Sequence, residues 1–405
     1  MSSVSSAPPV KQPDGRAYGR APALHDPRLT EVGAGTPMGE LLRRYWHPIG
    51  LAADASATPR RVRVLGENLI LFRDGQGVPG LVTEHCAHRG TSLYYGKVED
   101  RGIRCCYHGW LFDTQGRCVE QPCEPEGGRA RNRIRQPWYP VEERYGLIWA
   151  YLGPAERQPV LPRYEALETL AEGEFIEAND RSIGGGGPQI IPCNWLQHYD
   201  NLVDPFHVVV LHSTFSGTQF IDAMALMPDV EWSECETGIR TTSRRNLPDG
   251  KLFLRISEAA VPTLRVIPSP TVGQYGPVES LGWILPIDDT TFRIYVAGRV
   301  RRPGELANMR SRQNGKLWEE LSEEEHQQFP GDYEAQVSQR PIAVHAEEHL
   351  ATTDRGIVML RRRLLREVEA VEAGGDPSGV SFDPEAPPVR FAAGNFLLER
   401  EATEA

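Results

Sequence analysis

Between residues 61 and 72 the chain reads RVRVLGENLILF, with apolar and polar positions alternating in two short runs about Gly-Glu-Asn. That period of two predicts a pair of strands joined by a tight turn. Short runs of the same kind, broken by glycine and proline, continue through GVPGLVTEHC and RGIRCCYHGWLFDTQGRCVEQP to PWYPVEERYGLIWAYLGP at 137–154. Together they predict a compact all-β unit over 45–153. GTPMGELLRRYWHP, just before it, predicts an amphipathic turn or two. From NWLQHYDNLVDPFHVVVLH (194–212) the spacing becomes helical. Apolar, β-branched runs between 232 and 299, separated by Pro, Gly and Asp, predict a broad antiparallel sheet. LWEELSEEEHQQF and GIVMLRRRLLREVEAVEAG predict helices, the second ended by glycine. IGGGGPQ (183–189) reads as a flexible loop, and the Pro/Gly-rich tail after about 375 as a segment wrapping the surface. No internal repeat is visible.

At 405 residues the chain can bury a large core, as two domains or one big one. A formal net charge of −11 argues against nucleic acid or an anionic membrane as the main partner. No stretch approaches the eighteen or so apolar residues of a membrane span. The Ser/Pro-rich, polar start reads as mobile and has no apolar core of a secretory signal, so the expected location is cytoplasmic. Seven cysteines, an odd number in a long chain, do not read as a disulfide framework; metal binding or plain burial is the expectation.

Four residues stand out for metal chemistry. EHCAHRG (84–90) offers Cys86 and His88, and IRCCYHGW (103–110) offers Cys105 and His108. A structural zinc site accepts two Cys and two His, but usually takes its cysteines as one close pair. Here each pair mixes ligand types. Mixed pairs suit a [2Fe–2S] cluster of the Rieske kind, in which one iron takes two thiolates and the other two imidazoles. Buried cysteines beside surface histidines are the bland alternative. Neutral imidazoles raise the potential to roughly −150 to +300 mV, against about −400 mV for all-cysteine plant-type clusters.

Cys86-Ala-His88-Arg-Gly and Cys105-Cys-Tyr-His108-Gly-Trp resemble the two cluster loops of Rieske non-haem iron oxygenases. Gly90 and Gly109 would let backbone amides approach the sulfurs, and Trp110 would shield one side. Cys106 stands where the family usually has proline. Respiratory Rieske proteins carry an extra disulfide-forming cysteine in each loop; the first of those positions is Thr91 here, which favours the oxygenase branch. Cys118 and Cys123 read as structural, and His85 would point to the opposite face of a strand from Cys86.

Oxygen activation needs an iron with open positions, which two histidines and one carboxylate supply. Asn201-Leu-Val-Asp204-Pro-Phe-His207-Val-Val-Val-Leu-His212 is similar to the oxygenases' Asn/Asp-x-x-His-x4-His pattern, which implies His207 and His212 as ligands. Residues five apart on a straight α-helix diverge by about 140°, so the helix must end, kink or widen there. Asp204-Pro205 also reads as an N-cap followed by proline, which is compatible with Asp204 accepting a bond from the His207 ring. His198 reads as a packing or surface histidine. For the carboxylate, Asp332 in GDYEAQVSQ resembles the family's downstream aspartate. Asp288 and Asp289 sit in a strand turn, and Asp354 looks like a helix cap.

The resemblance spans about Gly33 to Leu365 and is nearest to oxygenases built from one subunit type, such as those acting on phthalate, phenoxybenzoate, vanillate and dehydrodivanillate. It implies an α+β fold: a Rieske domain at 45–153, inserted near the N-terminus of a catalytic domain with a large antiparallel sheet and covering helices. Residues 1–44 would join that catalytic domain, formed mainly by 154–405. It implies one [2Fe–2S] cluster and one mononuclear Fe(II) per chain, O2, and electrons from NADH through a separate flavin and iron–sulfur reductase. It also implies a head-to-tail homotrimer in which Asp204, with Asn201 beside it, links the iron to His108 of the adjacent chain. An aromatic substrate is expected, with Phe206, Val210, Leu211, Phe215 and Phe220 as core or pocket residues. Arg240, Arg244, Arg245, Arg255 and Arg265 lie where a carboxylate anchor could sit, although most should be strand-surface charges. An electron carrier with a Rieske centre alone, or a zinc-stabilised binding protein, are the readings from other classes. The carrier leaves the second motif unexplained.

Overall fold

The computed structural model describes residues 23–181, 187–217, 219–269, 275–308 and 310–399. The Ser/Pro-rich start and most of the glycine-rich stretch, at 182–186, lie outside them.

Three small antiparallel sheets form the unit near the N-terminus. One pairs Arg60–Val64, Glu67–Arg73, Pro79–Thr83 and Trp138–Tyr139 in that order, and a second runs Lys97–Glu99, Gly102–Arg104, Leu111–Phe112, Cys118–Glu120. The third joins Trp46–Leu51 and Val141–Arg144 to the central strand Leu147–Tyr151. The first hairpin turns on Leu65 and Gly66, at φ +47° and +82°, and Glu67 already pairs with Val64. The expected Gly-Glu-Asn turn is therefore shifted back, because two consecutive positive φ values match the strand twist. A small core of Ile70, Phe72, Val82, Leu93, Ile103 and Phe112 encloses Cys86 and Cys105.

A nine-stranded sheet dominates the rest; its main path runs Phe175–Asn179, Thr291–Val300, Ser280–Asp288, Leu264–Val266, Leu252–Ala260, Gly238–Asn246, Asp229–Glu234. Leu264–Val266 covers only Glu258–Ala260, which would leave the other half of that strand with open ladder groups. Gly394–Leu398 fills this place by pairing with Leu252–Ile256. The tail thus does more than wrap the surface. It completes the sheet.

The long helix Arg355–Glu372 buries Leu360, Leu364 and Val368 at a spacing of four. Each fully buried aliphatic side chain contributes about 1.5–3 kcal/mol relative to exposure. LWEELSEEEHQQF forms two short pieces, a 3-10 turn at Trp318–Glu320 and a helix at Glu323–Gln328, because Ser322 and Glu325 make a capping box between them. The α+β expectation stands. No helix among the described residues is long and apolar enough to cross a membrane.

Candidate active site

Two loops of the same build carry the cysteine–histidine pairs. The Cys86 N–H donates to the Thr91 carbonyl (2.9 Å) and the Gly90 N–H to the Cys86 carbonyl (2.8 Å). In the second loop Cys105 N–H donates to Trp110 (2.9 Å) and Gly109 N–H to Cys105 (3.0 Å). Both reversals use a left-handed glycine, at φ +77° and +73°, and a Cβ on Gly109 would come within 2.7 Å of Pro122 Cγ. Buried Gln136 pins the first loop, accepting from Ala87 N–H (2.7 Å) and donating to the carbonyls of Thr83 and His85 (2.9 Å each). Nothing in the local sequence marks Gln136 for this.

Cys86 and Cys105 are each 3% exposed, whereas His88 and His108 reach the surface with ring centroids 4.6 Å apart. Burial, with Cys105 adding to it, pushes the Cys86 thiol up to about 11. Trp110 stacks on His88 at 4.2 Å, and its buried indole N–H has no partner. A single tetrahedral zinc would hold its donors about 3.3–3.8 Å from one another, from Zn–S and Zn–N lengths of about 2.0–2.3 Å. Among the described residues only His207, His212 and Asp332 form a set of three donors mutually within 4.8 Å. The four loop residues form no such set, and two thiols with two imidazoles match the ligands of a two-iron cluster. Cys106 and Cys123 are exposed and Cys118 is buried; His85 bonds the Gly90 carbonyl (3.0 Å).

The second group arises where one helix gives way to another. Asn194 caps Trp195–Asn201, the chain breaks around Pro205, and Val208–Phe215 resumes as a π-helix. Widening lets residues five apart share a side, so His207 and His212 converge. Their Nε2 atoms lie 3.6 and 3.3 Å from Asp332 Oδ1. The Nδ1 atoms are held from behind, on the Asp204 carbonyl for His207 and on Gln219 Oε1 for His212. Gln219 is itself anchored through its Nε2 to the Arg312 carbonyl (2.8 Å). Such bonds fix tautomer and ring orientation, leaving Nε2 for a metal. Burial acts to raise the Asp332 carboxyl, but His212 and His207 outweigh it and hold the group well below the usual carboxylate range. Asn201 Nδ2 stands 3.3 Å from His207 Nε2 and 3.4 Å from Asp332 Oδ1.

Several expectations change in detail. The Asp204 carboxylate lies 3.6 Å from His207 Nδ1, and its backbone carbonyl makes the bond instead. Asp204 Oδ1 is engaged with the Phe206 N–H at 3.0 Å, an Asx turn at the proline. Asp288 bonds Thr290 and Thr291, and Asp289 accepts from Val32 N–H. Asp354 occupies a cap position, yet its carboxylate turns back to Ala351 N–H (2.7 Å). His198 is a packing histidine: it bonds Gln336 (2.9 Å), stacks on Phe292, and burial lowers its pKa to about 3.

A cavity of about 170 Å³ opens beside His207, His212 and Asp332, far more than the roughly 15 Å³ one water needs. Phe220, Met224, Ile267, Leu281, Val296 and Leu306 give it apolar walls, and Phe220 packs against His212 at 4.7 Å. Phe206 packs against Trp232, while Val210 and Phe215 are over half exposed on a different groove. Of the arginines, Arg240 pairs with Glu258 (3.0 Å) and Arg244 with Glu231 (3.3 Å); the other three line the cavity.

Residues 45–140 match the Rieske [2Fe-2S] domain family. The chain is 49% identical to the phenoxybenzoate dioxygenase subunit alpha of Ectopseudomonas oleovorans, covering 96% of each. It is 35% identical to the tert-butanol monooxygenase / tert-amyl alcohol desaturase oxygenase subunit of Aquincola tertiaricarbonis, over 92% of this chain and 83% of that one. The crystal structure of dicamba monooxygenase bound to dicamba shares the fold, with TM-score 0.60 over 82% of this chain and 99% of that one at 18% identity. The chain belongs to the Rieske non-haem iron oxygenases, as a terminal oxygenase subunit.

Proposed function

We propose that this subunit oxidises an aromatic substrate with O2, taking electrons from NADH through a separate flavin and iron–sulfur reductase. The observation that carries the reading is the convergence of two imidazoles and one carboxylate at the rim of a roomy cavity with both apolar and polar walls. The phenoxybenzoate relative supports an aromatic substrate. Cys86, His88, Cys105 and His108 would hold a [2Fe–2S] cluster, and His207, His212 and Asp332 a mononuclear Fe(II). When bound, these groups supply single electrons and the reductive activation of O2.

The chain's own residues prepare that chemistry. The Asp204 carbonyl and Gln219 keep both histidine rings aimed, and buried Asp332 adds one negative charge. Phe220 closes one side against water. We further propose a head-to-tail homotrimer, with Asp204 and Asn201 connecting each iron site to His108 of the neighbouring chain. The domains divide at 1–44, 45–153 and 154–405 in this reading. Seven free cysteines accord with a cytoplasmic location.

Asp332→Ala tests the iron site. The variant should keep the red-brown cluster spectrum but hold about two irons per chain instead of about three, and form no product. Loss of the third iron in Asp354→Ala, with Asp332→Ala fully loaded, would overturn the assignment.

A further inference from the structure

The two histidines are held from behind in different ways. His207 Nδ1 meets a backbone carbonyl, that of Asp204, which a change of the Asp204 side chain leaves in place. His212 Nδ1 meets the side chain of Gln219, and an amide can turn either its oxygen or its nitrogen toward a histidine. The two orientations have opposite consequences. Against the oxygen, Nδ1 must donate, and Nε2 is the nitrogen left to offer a lone pair; against the nitrogen, Nδ1 must accept and Nε2 keeps the proton. The His212 side chain is 2% exposed and Phe220 packs on its ring, so solvent cannot take the place of Gln219.

What decides the amide's orientation lies 93 residues further along the chain, where the Arg312 carbonyl stands 2.8 Å from the Gln219 side chain. A carbonyl only accepts, so the amide nitrogen must point to Arg312 and the oxygen to His212. The turn that follows fixes the Arg312 carbonyl in its place. Gln313 and Lys316 exchange two backbone bonds (2.9 Å each), closing a two-residue turn at Asn314 and Gly315, with φ +47° and +76°. Asn-Gly is the pair such a turn favours. This turn is wedged between the segments that carry two of the candidate ligands. The Asn314 N–H donates to the carbonyl of Ser216 (2.9 Å), the residue that caps the π-helix of His212. On the other side, buried Gln313 donates to the Phe329 carbonyl (2.9 Å) and to Glu334 Oε2 (3.1 Å), in the short helix Asp332–Val337. Glu334 also takes the Gly331 N–H (2.7 Å) and the Trp318 indole (2.9 Å), so the turn reaches the start of that helix.

We propose that Gln219 is the positioning residue that fixes which nitrogen of His212 faces the metal, and that the Gln313–Lys316 turn sets its orientation while holding the Asp332 helix beside it. The inference rests on the reading of His207, His212 and Asp332 as a metal site. Gln219 acts only through the His212 ring, on the side away from Nε2. One turn thereby supports two of the three ligands: His212 through Arg312 and Gln219, and Asp332 through Gln313 and Glu334.

The test is Fe(II) affinity, measured without oxygen by competition with a chelator, on protein whose cluster spectrum is intact. Removing the hydrogen-bond partner of a metal-bound histidine typically costs about 10–100-fold in affinity. Gln219→Met keeps the length of the side chain but offers only a weak acceptor, so it should bind Fe(II) weaker than the wild type by about that factor. Gln219→Glu keeps an acceptor at Nδ1 and should bind at least about tenfold more tightly than Gln219→Met. Gln313→Met should weaken binding as well. The double variant should lose less than the product of the two single losses, because the turn acts on His212 through Gln219. A Gln219 that only fills space would leave the glutamate variant as weak as the methionine one, and that result would overturn its role. Losses that multiply in full would overturn the link to the turn. Wild-type affinity in Gln219→Met would sink the inference and leave the metal site standing, whereas a wild type that takes up only about two irons per chain would sink the metal site itself.

Discussion

Cys105 and Cys106 are neighbours in sequence, yet the first is buried in the small core and the second exposed. Cys105 follows the strand Gly102–Arg104 into the small core and Cys106 opens the turn that leads back out, and this sorts the ligand candidates without any metal. Cys106→Ser should therefore keep the visible spectrum, as should Cys118→Ser, whereas His108→Ala should lose it; a colourless Cys106→Ser protein would sink the assignment. Asp204 makes a finer case. Its carbonyl holds the His207 ring and its carboxylate caps the following amides, and asparagine can do both. Asp204→Asn should thus load iron and cluster normally, and any loss of turnover reports on the missing charge. Oxidation of the pre-reduced cluster, followed in a single turnover with substrate and O2, should slow at least about tenfold, the effect of about 1.4 kcal/mol on a barrier. Wild-type speed would leave Asp204 as a capping residue alone.

The segment from Trp195 to Phe215 shows how far an element can be read from its residues. The helical spacing was visible, and so was the need for a widening between His207 and His212, since five residues of α-helix would point them about 140° apart. That the widening extends over Val208–Phe215 was not visible, because local propensity does not distinguish a π-helix from an α-helix. The closing strand Gly394–Leu398 was missed for another reason: its short apolar run NFLL finds its partner more than a hundred residues away. The inward turn of Arg245 was hidden by a strand polar on both faces, TTSRRN, in which alternation leaves the buried parity open. Contact between elements adds a testable point. The Trp232 indole donates to the Val203 carbonyl (2.8 Å), bracing the break before His207, and Gly356 lets the long helix lie against that bond. A Cβ at Gly356 would fall 2.3 Å from Trp232 Nε1 and 2.7 Å from the Val203 oxygen. Gly356→Ala should cost about 1–3 kcal/mol, seen as a lowered melting temperature, despite alanine's better helix propensity. An unchanged or higher melting temperature would mean that the two elements separate freely.

In the whole molecule the two candidate centres belong to different packing units, Cys86 and Cys105 to the small core and the helix before His207 to the large one. His88 and His108 meet the surface beside Tyr107, which is 58% exposed, and the Asp204 side chain is 29% exposed. Both centres thus present polar groups outward, the arrangement a head-to-tail ring needs if each cluster is to serve the neighbour's iron site. A closed ring of heterologous contacts makes this testable without a structure of the assembly. His108→Ala chains would carry iron without a cluster, and Asp332→Ala chains a cluster without iron. Each alone should be inactive. Co-expressed in equal amounts and purified as mixed rings, they should regain activity, because some clusters then face a loaded iron site across a boundary. With random mixing and one productive orientation per boundary, about a quarter of the wild-type turnover per chain is expected. Complementation should disappear when the two variants are expressed apart and mixed under conditions where subunits do not exchange. If co-expressed chains stay inactive although both metal loadings are as designed, the electrons pass within one chain, and the ring and the linking role of Asp204 fall together.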